Sequence, residues 1–107
     1  MLTEKGTLPV GVEYEGTVHR EFEIREQLVR DMVDIYDDPK IVERASKNDA
    51  FMGLCIVSRR LTIGSIPPEA VTPDLLLGLH QVDMAAIDKA ERALEVRRAT
   101  FRGGEAE

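Results

Sequence analysis

LPVGVEYEGTVHREFEI, residues 8–24, alternates apolar and polar side chains on both sides of a glycine, and REQLVRDMVDIY, residues 25–36, continues it with apolar residues at helical spacing. Period-two alternation marks a half-buried strand, and a change to a 3.6-residue period marks the start of a helix. The two segments together predict a β-hairpin that runs directly into a helix. Leu8, Val10 and Val12 share a face of the first arm, and Val18, Phe22 and Ile24 share a face of the second. All six stand at even positions. A two-residue loop of Glu15 and Gly16 would set even positions opposite odd ones and put the two apolar sets on opposite faces. A three-residue loop, Tyr14-Glu15-Gly16, keeps them together, with Gly16 in the left-handed conformation that closes such a turn. That register puts Val12 opposite Val18 and Leu8 opposite Phe22.

A hairpin alone is marginal in water, so its apolar face needs a cover. In the helix read over residues 26–37, positions 28, 29, 32, 33, 35 and 36 gather into a stripe, with Arg30, Asp31, Asp34 and Asp37 on the other side. The stripe is the expected cover. Asp38 and Pro39 supply an N-cap and a first-turn proline for a second helix, read over 39–61 with inner residues Ile41, Ala45, Met52, Ile56 and Leu61. Asn48 or Asp49 can cap a break within it. The run at 51–57 is apolar all round, as in a helix surrounded by protein, with a buried strand as the competing reading. Gly64, Pro67 and Pro68 mark a linker, and Thr72-Pro73-Asp74 repeats the cap-proline-acid start for a short helix over 73–79. Asp83 reads as the N-cap of a last helix over 84–101, with Met84, Ile87, Ala90, Leu94 and Phe101 near one face and Ala86, Ala90 and Ala93 allowing close approach of a neighbour. Residues 1–6 and 103–107 are expected to fray. The expected fold is α+β: one domain over 1–107, with an N-terminal hairpin at 7–25 followed by a mainly helical part of about four helices.

At 107 residues and 43% apolar content, the chain can build a modest core without staples. One cysteine excludes an internal disulfide. The N-terminus lacks a signal peptide's basic start and apolar run, and no apolar run approaches the ~20 residues of a membrane span, so a cytoplasmic protein without membrane contact is expected. A sequence pI near 4.9 argues against a nucleic-acid partner, since phosphate binding rests on Lys and Arg. The acid is concentrated: residues 12–38 hold nine carboxylates against Arg20, Arg25 and Arg30, which equals the chain's net charge of -6. From Lys89 to Arg102, five bases meet only Glu91 and Glu95. An acidic first half, a basic last helix and an unfinished sheet suggest a homo-oligomer, either head to tail in rings or open assemblies or face to face in a closed dimer.

No catalytic, cofactor or metal site is expected. His19 and His80 have no partner at metal-ligand spacing and read as surface residues. Cys55 lies in an apolar run, with Arg59 alone as a charged neighbour one turn away, and reads as a buried structural thiol. Helix stop and N-cap account for Asp37 and Asp38 without acid-base work. Glycine-rich phosphate loops, Gly-x-Ser-x-Gly and zinc spacings are absent from the sequence. Two features fit binding better than catalysis. Leu75, Leu76, Leu77 and Leu79 crowd a helix of barely one turn, which cannot aim them all at one core; Leu76 and Leu79 are the expected outward pair. Val96 and Phe101 stand among Arg92, Arg97, Arg98 and Arg102, a mixture common in protein interfaces. Leu76, Leu79, Val96, Arg97, Arg98 and Phe101 are therefore the expected partner-binding residues.

The acidic hairpin with its Glu15-Gly16 turn, Phe22-x-Ile24-Arg25 before a helix, RLTIGSIPPEAV at 60–71 and VDM at 82–84 resemble the tail assembly chaperones of Mu-like contractile-tailed phages. The resemblance spans about residues 7–94 and rests most on IPPEAV standing sixteen residues ahead of VDM. The longer second helix and the basic C-terminal extension depart from the family's pattern. The resemblance implies a protein of the host bacterial cytoplasm that binds the tape measure protein, keeps it soluble until tail tube subunits assemble around it, and then leaves, with the tail tube protein as a second candidate partner. A small acidic adaptor or secretion-type chaperone unrelated to phage tails is the alternative; a small-molecule binder or enzyme is the third.

Overall fold

Glu15 and Gly16 both have positive φ, 50° and 80°, and the pair Tyr14–Thr17 closes around them. This is a two-residue hairpin turn, whose twist matches that of the strands; the three-residue loop expected from parity does not form. In the computed structural model, which describes residues 1–105 and the side chains of 1–100, the turn joins β1 (Thr3–Tyr14) to β2 (Thr17–Arg25). Parity is managed within β1 instead. Between the pairs Thr7–Glu21 and Val12–His19, β1 advances five residues while β2 advances two. The three extra residues are a wide bulge. Below it, even faces even, with Glu4 opposite Ile24 and Gly6, rather than Leu8, opposite Phe22. Above it Val12 faces His19, not Val18, and Val18 is left exposed.

The pairing begins at Thr3, so residues 3–6 are strand and not a frayed tail. On the far side of β2, Leu61–Ile63 adds a short β3 and completes a three-stranded antiparallel sheet in the order β1-β2-β3. A strand of three residues carries no periodicity of its own, and the helical reading ran through Leu61. Its register with Phe22, Glu23 and Ile24 makes it a strand.

The helices are α1 (Val29–Val33) with a 3-10 turn over Asp34–Asp37, α2 (Pro39–Ser46), α3 (Asp49–Arg60), α4 (Pro73–Leu77) and α5 (Gln81–Glu105), with a second 3-10 turn at Pro68–Ala70. The expected caps hold for three of them. The Asp38 carboxylate accepts from the Lys40 and Ile41 amides, Asn48 from Phe51 and Thr72 from Leu75. Asn48 thus breaks the 39–61 helix in two, and 51–57 is helix rather than strand. Asp83 is not the cap of α5. His80 takes that place, its Nδ1 accepting from the Val82 amide at 3.1 Å and its carbonyl from Asp83 and Met84.

The hairpin is covered by α5 and not by α1. Ile87, Ala90 and Leu94 pack on Leu8, Val12, Phe22, Ile24, Leu61 and Ile63, joined by Ile66, Val71 and Leu76. A smaller cluster of Ile35, Ala45, Phe51 and Cys55 holds α2 and α3 to the 3-10 turn that follows α1. Burial raises the Cys55 thiol above its ordinary pKa, which suits a structural cysteine.

Candidate functional site

Arg25 ends β2, and six residues later Asp31 sits in the first turn of α1, wholly enclosed. Its carboxylate accepts from Arg25 at 2.6 and 2.9 Å, a bidentate pair, and from the Leu28 amide at 2.7 Å. These donors, with Arg59 at 3.7 Å, supply the partners a buried carboxylate requires. The hydrogen bond from Arg25 holds the Asp31 carboxyl below its usual pKa against the opposing effect of desolvation, and Arg25 is raised in turn. Arg59 also binds Asp34 at 2.7 Å.

Asp31 and Asp34 lie on the polar face of the sequence pattern, yet it is this face that the protein holds. The expected roles of the two faces are therefore exchanged. Val29 is 83% exposed, Tyr36 59%, and Leu28, Met32 and Val33 are also in water; Ile35 alone of the expected stripe is buried. Residues 29, 32, 33 and 36 follow the i, i+3, i+4, i+7 rule and form one ridge. The ridge leaves four large apolar residues about half exposed or more, a patch of the kind that is often the largest on a monomeric protein.

The expected partner-binding residues are dispersed. Leu76 is 3% exposed and belongs to the main core, and Leu79 packs partly against it; Leu77 is the outward member of the group. Arg97 donates at 2.7 Å to both the Thr3 carbonyl and the Glu4 carboxylate, and Arg98 makes a two-pronged bridge to Glu26 at 2.5 and 2.9 Å. Both arginines tie α5 to the N-terminal sheet. Two of the basic residues of α5 thus meet the acid of their own chain, which takes them out of the charge expected to serve head-to-tail pairing. Val96 is exposed; the Phe101 side chain lies outside the described residues.

Arg60, almost wholly buried, donates to the Arg25 carbonyl and to Glu91, and the cleft around it is lined mainly by charged groups that already pair with one another. His19 is half-buried, edge-on to Tyr14 and against Gly64, and His80 is exposed. Among the described residues, no group of three His, Cys, Asp or Glu side chains could hold a metal ion, and no helix is long and apolar enough to cross a membrane. Comparison with protein-family models, with curated proteins and with solved structures finds no match for the chain.

Proposed function

We propose that this chain is a tail assembly chaperone that captures the tape measure protein on the outward ridge of α1 and keeps it soluble until the tail tube assembles. The observation that carries the reading is the reversed orientation of α1. Val29, Met32, Val33 and Tyr36 lie in water on one side of a single short segment, and the largest apolar patch left exposed on a protein is often its functional one.

A long helical protein awaiting its tube presents apolar stripes of its own, and ridge-into-groove contact with an amphipathic helix is the matching mode of recognition. The cover has to come off later. Four apolar side chains from one short helical segment make a small contact, which favours a releasable complex. The sequence resemblance supplies the partner's identity in this reading.

Co-expression tests it. A co-expressed tape measure protein is expected to move from the pellet to the soluble fraction when the chain is present, and to return to the pellet when Val29→Asp and Val33→Asp are introduced together. Equal solubility with and without the chain would remove the chaperone reading. Solubility rescued equally by the double variant would move the capture surface off α1.

A further inference from the structure

The Gly64 amide donates to the Glu21 carbonyl at 2.8 Å and the Glu26 amide to the Leu2 carbonyl at 3.2 Å, and these two bonds set which way the peptide groups of the sheet point below the bulge. Peptide groups along a strand turn to alternate sides, so Glu21 and Glu23 bond to the β3 side while Phe22 and Ile24 bond to Gly6 and Glu4 of β1. Thr3, Lys5 and Thr7 therefore turn their N–H and C=O groups away from β2. β1 is an edge of the sheet, and no strand meets them there. Arg97, which reaches the Thr3 carbonyl at 2.7 Å, is the one side chain among the described residues that bonds to this edge. The open run is short. Beyond Thr7, Arg20 takes the Leu8 and Pro9 carbonyls and Asp83 takes the Val10 and Gly11 amides.

We propose that this edge binds an extended, acidic segment of another protein, which joins the sheet as a fourth strand beside Thr3–Thr7. The proposal does not rest on what the α1 ridge captures, since the two surfaces share no residue.

Two observations choose the occupant. The first is a groove of about 290 Å³ between the edge and α5, floored by the Phe22 ring and by Ala86, Ala90 and Ala93. Gly6 lies along it and has no side chain to fill it. An added strand sends every second side chain to this side of the sheet, so a segment with apolar residues at alternate positions would cover the groove while its backbone pairs with the edge. The second is charge. Lys5 and Lys89 flank the groove, both exposed, and among the described residues neither makes an ion pair or a side-chain hydrogen bond. The nearby carboxylates are engaged elsewhere: Glu23, opposite Lys5, accepts from the Thr3 hydroxyl at 2.8 Å, and Glu4 bridges to Arg97. Lys5 also disfavours a second copy of this chain. Two β1 edges paired with each other would bring their Lys5 residues opposite or diagonal to one another, and a lysine on an edge strand guards against self-pairing. A carboxylate across from Lys5 turns that repulsion into attraction.

NMR of the full chain tests the proposal, with an end-blocked peptide of about seven residues that alternates valine and glutamate as the probe. At millimolar peptide the amides of Thr3, Lys5 and Thr7 are expected to shift and to exchange more slowly, whereas those of Glu4 and Gly6, already bonded to β2, change little. Methylation of the peptide's amide nitrogens, or lysine in place of its glutamates, should remove the effect. Lys5→Glu combined with Lys89→Glu should weaken binding of the acidic peptide about tenfold, the scale of two exposed ion pairs, and admit the lysine peptide instead. Both positions are exposed, so the double variant should melt near wild type. Four results would overturn the proposal: no change at Thr3, Lys5 and Thr7; an equal effect from the methylated peptide, which would mean a side-chain contact without strand addition; equal binding of the lysine peptide; or protection of these amides that rises with the chain's own concentration in the absence of peptide, which would give the edge to a second copy. None of these outcomes bears on whether the ridge captures a tape measure protein.

Discussion

The Arg25 guanidinium holds the buried Asp31 carboxylate through two hydrogen bonds, and this pair fixes which face of α1 meets the protein and which meets water. An amphipathic segment ordinarily turns its apolar side inward, because each buried aliphatic side chain is worth about 1.5–3 kcal/mol. Here the anchor is ionic, Arg59 extends it to Asp34, and the apolar side is left in solvent.

Removing Asp31 would leave Arg25 without its counter-charge. Breaking a buried pair costs about 3–5 kcal/mol, and the Arg25 side chain is about a quarter exposed, so Asp31→Ala should destabilise by about 2–4 kcal/mol. Urea unfolding at neutral pH measures it.

The same pair sets a pH dependence. The Asp31 carboxyl is held below its usual range by the Arg25 hydrogen bond, and Glu26 is likewise lowered by Arg98. For groups depressed in the folded state, the unfolded chain binds more protons as the pH falls. Their contribution is therefore complete above the ordinary carboxylate range, roughly pH 4, and is lost as the pH drops from there through the folded values. The urea midpoint should fall on acidification, and more gently in Asp31→Asn. Parallel curves for the two proteins would show that Asp31 carries no such linkage.

A second carboxylate holds the sheet. Asp83, fully buried in the first turn of α5, accepts from the Val10 and Gly11 amides at 2.8 and 2.9 Å, while Arg20 donates to the Leu8 and Pro9 carbonyls on the other side of the bulge. In Asp83→Ala, two amides lose their acceptor, for about 2–4 kcal/mol in total. Amide exchange should accelerate first at Val10 and Gly11. Gly11 itself has φ of +100°, and a Cβ there would meet Val18 and Arg20 at 2.8 Å, so Gly11→Ala should also destabilise.

Phe22 is the sheet's main contribution to the core. Phe22→Ala should cost about 3–5 kcal/mol. Its ring lies over Gly6, where a Cβ would come within 2.5 Å of Cζ, so Gly6→Ala should cost about 1–3 kcal/mol alone and much less in a Phe22→Leu background. Equal costs in both backgrounds would mean that the ring does not set the requirement for glycine.

Local chemistry was legible in the sequence. The hairpin, the caps Asp38, Asn48 and Thr72, the prolines behind two of them, the inner face Ile87-Ala90-Leu94 and the buried Cys55 all follow from residues a few positions apart. Apart from the hairpin's own turn and register, the misread features depend on partners distant in the chain. Asp83 reads as a cap until Val10 and Gly11 arrive from 73 and 72 residues away, and β3 reads as helix until β2 pairs with it. Arg97 and Arg98 read as interface residues until Glu4 and Glu26 meet them. The stripe on α1 was correctly located but assigned to the wrong side, because periodicity separates the faces of a helix without saying which one the protein holds.

The central claim is that residues 29–37 are where a partner binds, and hydrogen exchange of the chain with and without a soluble helical segment of the tape measure protein tests it most directly. Amides of α1 and its 3-10 turn should slow on addition of the segment, with β2 and α5 unchanged, and the effect should vanish in the Val29→Asp, Val33→Asp variant. Binding of the segment with exchange unaltered over 29–37 and slowed elsewhere would contradict the account.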